Sequence, residues 1–362
     1  MDVRLIENVD EFRKLKQPWN ELASRTPDDH AFMRHEWFDH WLSSQGVTTQ
    51  LHMITGWQDG QLVGALPLVW KEMKLRGMCF RALRFAESAV SPRCNALTLS
   101  ADVLERLLQR LASEKRCQLI ELQHLETASP TTRLIVDNLC SRPSLLVAVS
   151  PGRQSPYLTL NCGWEDYLRG LPSHRSAWIR KKCINKLHGC GQPFDFRRVK
   201  DASEAGYLVD VLLDVSSRSW KADGGSAIPQ VPSQKLFYST FTHTGLAHGL
   251  IEAIVLSIGG QAVAFDYYLK CSHRYSLIRG DFDKKYGKFR PGENLRVALI
   301  KELAQPGVPV ELDFGGTVSD YKLGWSNGMR EHLVIHAARR FSKGAWALSW
   351  KILKRYVKAN GS

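Results

Sequence analysis

Two stretches of the chain, 200 residues apart, carry the same pattern of apolar and polar positions. "LHMITGWQDGQLVGALPL" at 51–68 and "IEAIVLSIGGQAVAFDYY" at 251–268 each read as an apolar strand, a tight turn and a second apolar strand. The turns, "DGQ" and "GGQ", carry the glycine that a two-residue hairpin needs for positive φ. Helical periodicity follows in both halves, as "ADVLERLLQRLAS" at 101–113 and "ENLRVALIKELAQ" at 293–305. Strands come next, "QLIELQHL" at 118–125 and "PVELDFGG" at 309–316.

The order strand, hairpin turn, strand, strand, helix, strand therefore occurs twice, which predicts two copies of one mixed α/β unit. Two such copies can cover their open sheet edges against each other. The stretch "SPGRQSPY" at 150–157 marks the boundary. The expected organisation is a supporting lobe on the acceptor side over 1–150, a catalytic lobe over 151–342 and a basic amphipathic helix over 343–362. The second copy holds the more reactive sequence, since its strand runs through the basic, glycine-containing loop "RGDFDKKYGKFRPGEN" into the helix.

At 362 residues the chain is long enough for two lobes. Its apolar runs fall short of the roughly 20 residues that span a bilayer, and its charged start lacks the apolar segment of a secretory signal. A cytoplasmic location is expected. The eight cysteines form no CxxC pair and have no histidine at metal-ligand spacing, so reduced thiols and no metal are expected.

Charge changes this picture. The net charge of +13 gathers in two segments, one at 172–200 with Arg175, Arg180, Lys181, Lys182 and Lys186, the other at 339–362. Such patches attract phosphates, nucleic acid or anionic lipid. The first lies on the helical pattern "SHRSAWIRKKCINKLHGCG", where Arg180 and Lys181 suit a phosphorylated substrate. The second sets Trp346, Trp350, Leu353 and Val357 at helical spacing among lysines, which suits either a membrane surface or a packed terminal helix.

Three further stretches carry chemistry. In "GKFRPGEN" a helix starts at Pro291 and Gly292, and its unpaired N–H groups, with Arg279, Lys284, Lys285, Lys288, Arg290, Glu293 and Asn294 around them, make a candidate phosphate site. It is neither a Walker sequence nor GxGxxG. In "DFGGTVSDYKLGW", Asp313 ends a strand, Gly315 and Gly316 permit a sharp turn, Tyr321 offers a proton and Lys322 offers a cation for a developing oxyanion. Asp266 and Asp281 interrupt apolar strands, where a carboxylate can orient or deprotonate an amine. No Ser-His-Asp order supports hydrolysis.

These stretches, together with "PWNELASRTPDDHAFMRHEWFDHWL" and "RSWKADGGSAI", resemble the CelD-like acetyltransferases of the GNAT superfamily, relatives of the FemX/FemAB aminoacyltransferases. The resemblance implies a tandem GNAT fold and acyl transfer from acyl-CoA to an amine of a sugar, amino acid or peptide-like acceptor in polysaccharide or cell-envelope synthesis. It gives Lys322 the oxyanion, Tyr321 the leaving thiolate, the Pro291-Gly292 loop the coenzyme A pyrophosphate, and Trp220 and Lys221 a place at the substrate. "KFRPGEN" departs from the usual Q/R-x-x-G-x-G/A pattern, which leaves two alternatives open. One is a FemX-like transferase fed by aminoacyl-tRNA, and the other is a non-catalytic partner in polysaccharide synthesis held at the membrane by the tail.

Overall fold

The computed structural model of the protein describes residues 1–27, 30–46, 50–75, 77–86, 91, 93–316 and 318–349. They divide into two compact units. The first comprises Met1–Gln154 with the described residues from Arg330 onward, and the second is Ser155–Met329. Residues 330–342, expected with the C-terminal lobe, thus group with the N-terminal unit. Residues 350–362 of the expected basic tail, with Trp350, Leu353 and Val357, lie outside the described residues.

In the first unit the hairpin Met53–Gln58/Gln61–Leu66 turns through Asp59 and Gly60, both at positive φ. Strand Asp2–Ile6 and the short Leu97–Thr98 flank it. Helix Ala101–Ser113 opens on Ser100, whose side chain accepts from the Val103 N–H, and buries Val103, Leu104, Leu107, Leu108 and Leu111. It lies close to Gly64, where an added Cβ would stand 2.5 Å from Val103 Cγ1. A second set of strands includes Leu68–Leu75, Met78–Phe85 and Leu119–Glu126, the last two paired in parallel.

The second unit repeats the scheme. Its hairpin Ile251–Ile258/Gln261–Cys271 turns through Gly259 and Gly260, again both at positive φ. The register slips once in each hairpin, between Gly56 and Trp57 in one and between Leu256 and Ser257 in the other, which are equivalent positions of the repeat. Phe194–Val199 and Arg274–Phe282 extend the sheet antiparallel on either side. Strand Val310–Asp313 then runs parallel to Arg274–Phe282, pairing with Arg274 to Ser276, and antiparallel to Tyr157–Leu160.

Side chains alternate across this sheet and divide its core in two. Ile254, Leu256, Ala264 and Tyr268 pack with Leu295, Leu299 and Ile300 of helix Pro291–Leu303. Tyr267 points the other way, its hydroxyl 3.0 Å from Thr242 Oγ1 of helix Pro232–Ala247. The mixed α/β class and the duplicated arrangement of sheets and helices agree with the expectation from the repeat. Among the described residues no helix is long and apolar enough to cross a membrane.

Candidate active site

The strand Val310–Asp313 ends at a buried aspartate that is used locally. Asp313 Oδ1 accepts from the Gly315 N–H at 2.8 Å and from Ser155 Oγ at 3.2 Å. The chain then turns through Gly315 (φ 55°) and Gly316 (φ 61°), a conformation that a side chain resists. A Cβ on Gly315 would also press on the Leu277 carbonyl at 3.1 Å. The turn lies where the pairing between Val310–Asp313 and Arg274–Phe282 stops.

The short helix Asp320–Leu323 brings the Tyr-Lys pair back onto this turn. Lys322 Nζ donates to the Gly315 carbonyl at 2.5 Å. Tyr321 donates its hydroxyl to the Gly292 carbonyl at 3.2 Å, in the first turn of helix Pro291–Leu303. The pair therefore ties the strand end to the helix start. Burial lowers the Lys322 ammonium from its ordinary value, and the Arg296 charge adds to the effect. Tyr321 is 41% exposed as a residue, but desolvation of its hydroxyl raises it above the ordinary value and keeps it protonated at neutral pH.

Asp266 faces the same side. It is 3% exposed, bonds the Tyr268 hydroxyl at 3.1 Å and pairs with Arg296 Nη2 at 3.3 Å. Burial raises its carboxyl above the usual range although Arg296 opposes the shift. The Arg296 guanidinium also lies over the rings of Phe314, at 4.9 Å, and Tyr321, at 5.8 Å. Arg296 was not among the residues expected from sequence, yet a signal exists. It shares the buried helical stripe of Leu295, Leu299, Ile300 and Leu303, a position where a cation needs a partner.

Asp266 has room for its carboxylate only because Gly280 lies opposite it on the neighbouring strand. A Cβ at Gly280 would stand 2.5 Å from Asp266 Oδ1. Gly280→Ala is expected to cost about 1–3 kcal/mol in stability through this overlap. Urea denaturation checks it, and part of the loss should return in the Asp266→Ala background.

Asp281 belongs to the opposite face. Its carboxylate binds Lys221 Nζ at 2.5 Å, Arg279 Nε at 2.8 Å and Ser216 Oγ at 2.8 Å. Lys221 also reaches the Gly280 carbonyl at 2.9 Å, and Arg279 Nη2 reaches the Ser226 carbonyl at 3.1 Å. This ion cluster anchors the loop around Lys221 to the sheet. The neighbouring Trp220 is 59% exposed.

The loop expected to hold phosphate is more occupied than its composition suggests. Arg290 takes a left-handed conformation just before Pro291 and pairs with Glu293 at 3.4 Å. Lys284 pairs with Asp223 at 2.7 Å, the Lys285 N–H donates to Asp283 at 2.9 Å, and the Lys288 ammonium lies 4.9 Å from the Phe289 ring. Asn294 Nδ2 donates to the carbonyls of Phe289, Arg290 and Cys183. Gly292 stays open, since an added Cβ there would meet nothing nearer than the Tyr321 hydroxyl at 3.7 Å.

The basic segment forms a helix in three parts, Ser173–Trp178, a π turn over Ile179–Cys183, and Ile184–His188. Arg180 pairs with Glu165 at 2.6 Å, and the Lys181 carbonyl accepts from Asn185. Arg175 turns inward instead, with its guanidinium 4.1 Å from the Trp325 ring and 4.9 Å from that of Trp178. Among the described residues no group of three or more His, Cys, Asp or Glu side chains is placed to hold a metal ion.

Residues 173–323 match the family model described as an acetyltransferase (GNAT) domain. The matched segment lies wholly within the second unit. The chain is accordingly a transferase, and the matched segment holds Asp266, Arg296, Tyr321 and Lys322 together. Solved structures extend the likeness beyond that segment. The crystal structure of FemX aligns at 11% identity and TM-score 0.58, covering 92% of this chain and 97% of that one. The C-terminal domain (DUF2156) of a putative lysylphosphatidylglycerol synthetase from Agrobacterium fabrum aligns at 9% identity and TM-score 0.56, covering 93% and 95%. L-PGS from Bacillus licheniformis aligns at 11% identity and TM-score 0.51, covering 86% and 90%. At these identities the likeness is one of fold. No curated protein sequence matches the chain.

Proposed function

We propose that the protein is an N-acyltransferase of CelD-like type, which moves an acyl group, acetyl in the simplest case, from acyl-CoA to the amine of a sugar, amino acid or peptide-like acceptor in polysaccharide or cell-envelope assembly. The observation that carries this reading is the Lys322 ammonium, held at the Gly315 carbonyl where two parallel strands part, inside a GNAT-type domain. In this reading the acceptor amine attacks the thioester carbonyl and Lys322 stabilises the oxyanion that forms. Asp266, whose raised pKa suits a base, orients the amine and takes its proton. As the carbon–sulfur bond breaks, the protonated Tyr321 supplies a proton to the departing thiolate. Asp281, on the far face with its three partners, occupies the Lys221 ammonium and so holds the loop that presents the exposed Trp220 to the substrate.

One observation favours a second donor. Glu293 is set at the start of helix Pro291–Leu303, between Arg175 at 3.8 Å and Arg290 at 3.4 Å, and its negative charge opposes a diphosphate there. A donor without a pyrophosphate at that point, such as aminoacyl-tRNA, avoids the conflict. Calorimetry with acetyl-CoA, longer acyl-CoAs and aminoacyl-tRNA discriminates between them. Saturable binding of a CoA thioester supports the first reading. A requirement for charged tRNA, with a steep loss of activity in salt, supports the second. If no donor binds, acyl transfer by this chain is excluded.

A further inference from the structure

Around Arg296, four further side chains of the same unit, Tyr167, Arg175, Glu293 and Trp325, form a second polar group. Arg175 is in contact with Trp325 and lies 3.8 Å from Glu293. The charges of both Arg175 and Arg296 act on the buried Tyr167 hydroxyl. Asn294, next to Glu293, turns its amide to the carbonyls of Cys183, Phe289 and Arg290. Trp325 is 1% exposed, Asn294 1% and Arg296 2%.

Their hydrogen bonding is one-sided. The Tyr167 hydroxyl, Arg175 Nε and Nη2 and Trp325 Nε1 are buried donors without a hydrogen-bond partner, and Arg296 Nε and Nη1 have none beyond the nearby Tyr321 hydroxyl. Among the described residues the unpartnered side-chain acceptors of helix Pro291–Leu303 are Glu293 Oε2 and Asn294 Oδ1. Buried donors left unpaired are costly, and fixed guanidinium forks are the protein's usual means of holding a planar oxyanion. Glu293 offsets one guanidinium charge, and Asp266 occupies only the Nη2 of the other.

We infer that this group binds an oxyanion, and that the oxyanion is the carboxylate of the amine acceptor. The assignment of its source rests on the proposed acyl transfer, because Arg296 would then serve both ends of one molecule. Its Nη2 holds Asp266, which receives the amine, and its remaining N–H groups, with Arg175 and Tyr167, receive the carboxylate. An acceptor carrying the two groups close together is an amino acid or the C-terminal residue of a peptide. A neutral sugar amine would leave the donors unpaired.

Calorimetry on the full chain at fixed ionic strength tests this with three probes: N-acetyl-L-alanine, its uncharged methylamide, and inorganic phosphate. N-acetyl-L-alanine should bind at least about 10-fold more tightly than the methylamide, and Arg175→Gln should remove that preference. Tyr167→Phe, which deletes one hydroxyl and keeps the ring, should weaken carboxylate binding by about 3- to 10-fold with an unchanged thermal melt. Equal binding of acid and amide, no measurable binding of either, or indifference to both variants overturns the inference. Phosphate binding more tightly than the carboxylate also overturns it, by assigning the site to a phosphate. Carboxylate binding without any acyl transfer keeps this site and removes the proposed reaction. Acyl transfer that proceeds equally well to amines without a carboxylate does the reverse.

Discussion

Lys322→Ala is expected to lower kcat for acyl transfer by about 100- to 1,000-fold, the usual effect of deleting a donor to a developing oxyanion. The KM for the acyl donor should change little, because the interaction is made in the transition state rather than in the ground state. The pH profile makes the prediction specific to the charge. The Lys322 ammonium is lowered by burial and by the neighbouring Arg296 and Lys221, while Asp313 opposes the shift. A lysine that acts as a cation loses its role as pH rises through its own pKa, so turnover should decline at a pH below the ordinary lysine value. Lys322→Arg should abolish this basic limb, since a guanidinium stays protonated throughout, even if its different length reduces the rate. An unchanged kcat in Lys322→Ala with the true donor would remove Lys322 from the mechanism.

Arg296→Leu is expected to cost about 3–5 kcal/mol at neutral pH, since it leaves the Asp266 carboxylate buried without its cation. The pH dependence has a definite sign. Burial already raises the Asp266 carboxyl, and Arg296 is the largest influence holding it down. Without Arg296 the carboxyl takes up a proton at higher pH and becomes neutral in the folded state. A carboxyl whose folded pKa is raised gives its full stabilisation below the unfolded pKa and loses it as pH rises through the folded value. The deficit of Arg296→Leu relative to the parent should therefore shrink in acid and widen toward neutrality. Asp266→Asn introduced into the same chain should recover part of the loss, because an amide has no charge to strand. Urea denaturation between about pH 4 and pH 8 reads both effects. A pH-independent deficit would show that the pair does not govern stability there.

Much of this arrangement can be read from the order of residues, and the part that cannot has a physical cause. The hairpins are legible because a two-residue turn needs positive φ at both central positions, which Asp59-Gly60 and Gly259-Gly260 supply. The site turn is legible for a related reason, since Gly315 and Gly316 adopt φ values that other residues avoid. The faces of the carboxylates are not legible in the same way. Asp266 and Asp281 look equivalent as acids interrupting apolar strands, yet register sets Gly280 opposite Asp266 and Phe265 opposite Asp281. One carboxylate therefore faces Arg296 and the other faces Arg279 and Lys221.

Charge composition shows the same limit. The run at 172–200 reads as a uniform basic face, but its members part company in the fold. Arg180 and Arg197 stay near the surface with Glu165 and Glu204, whereas Arg175 enters the interior against Trp325. Periodicity assigns a side chain to a face of its own helix, but it does not say which residue of a distant segment that face meets.

The sequence by itself determined the duplicated α/β unit, its turns and the Tyr-Lys pair after a glycine break, because each depends on local backbone preference or on short apolar spacing. Only the tertiary structure decided that Lys322 lies on Gly315, that Tyr321 reaches Gly292, and that Arg296 joins Asp266 to a group of unpaired donors. The last two pairings join segments about thirty residues apart and the first closes a seven-residue turn, and all are set by strand register and helix packing rather than by local backbone preference.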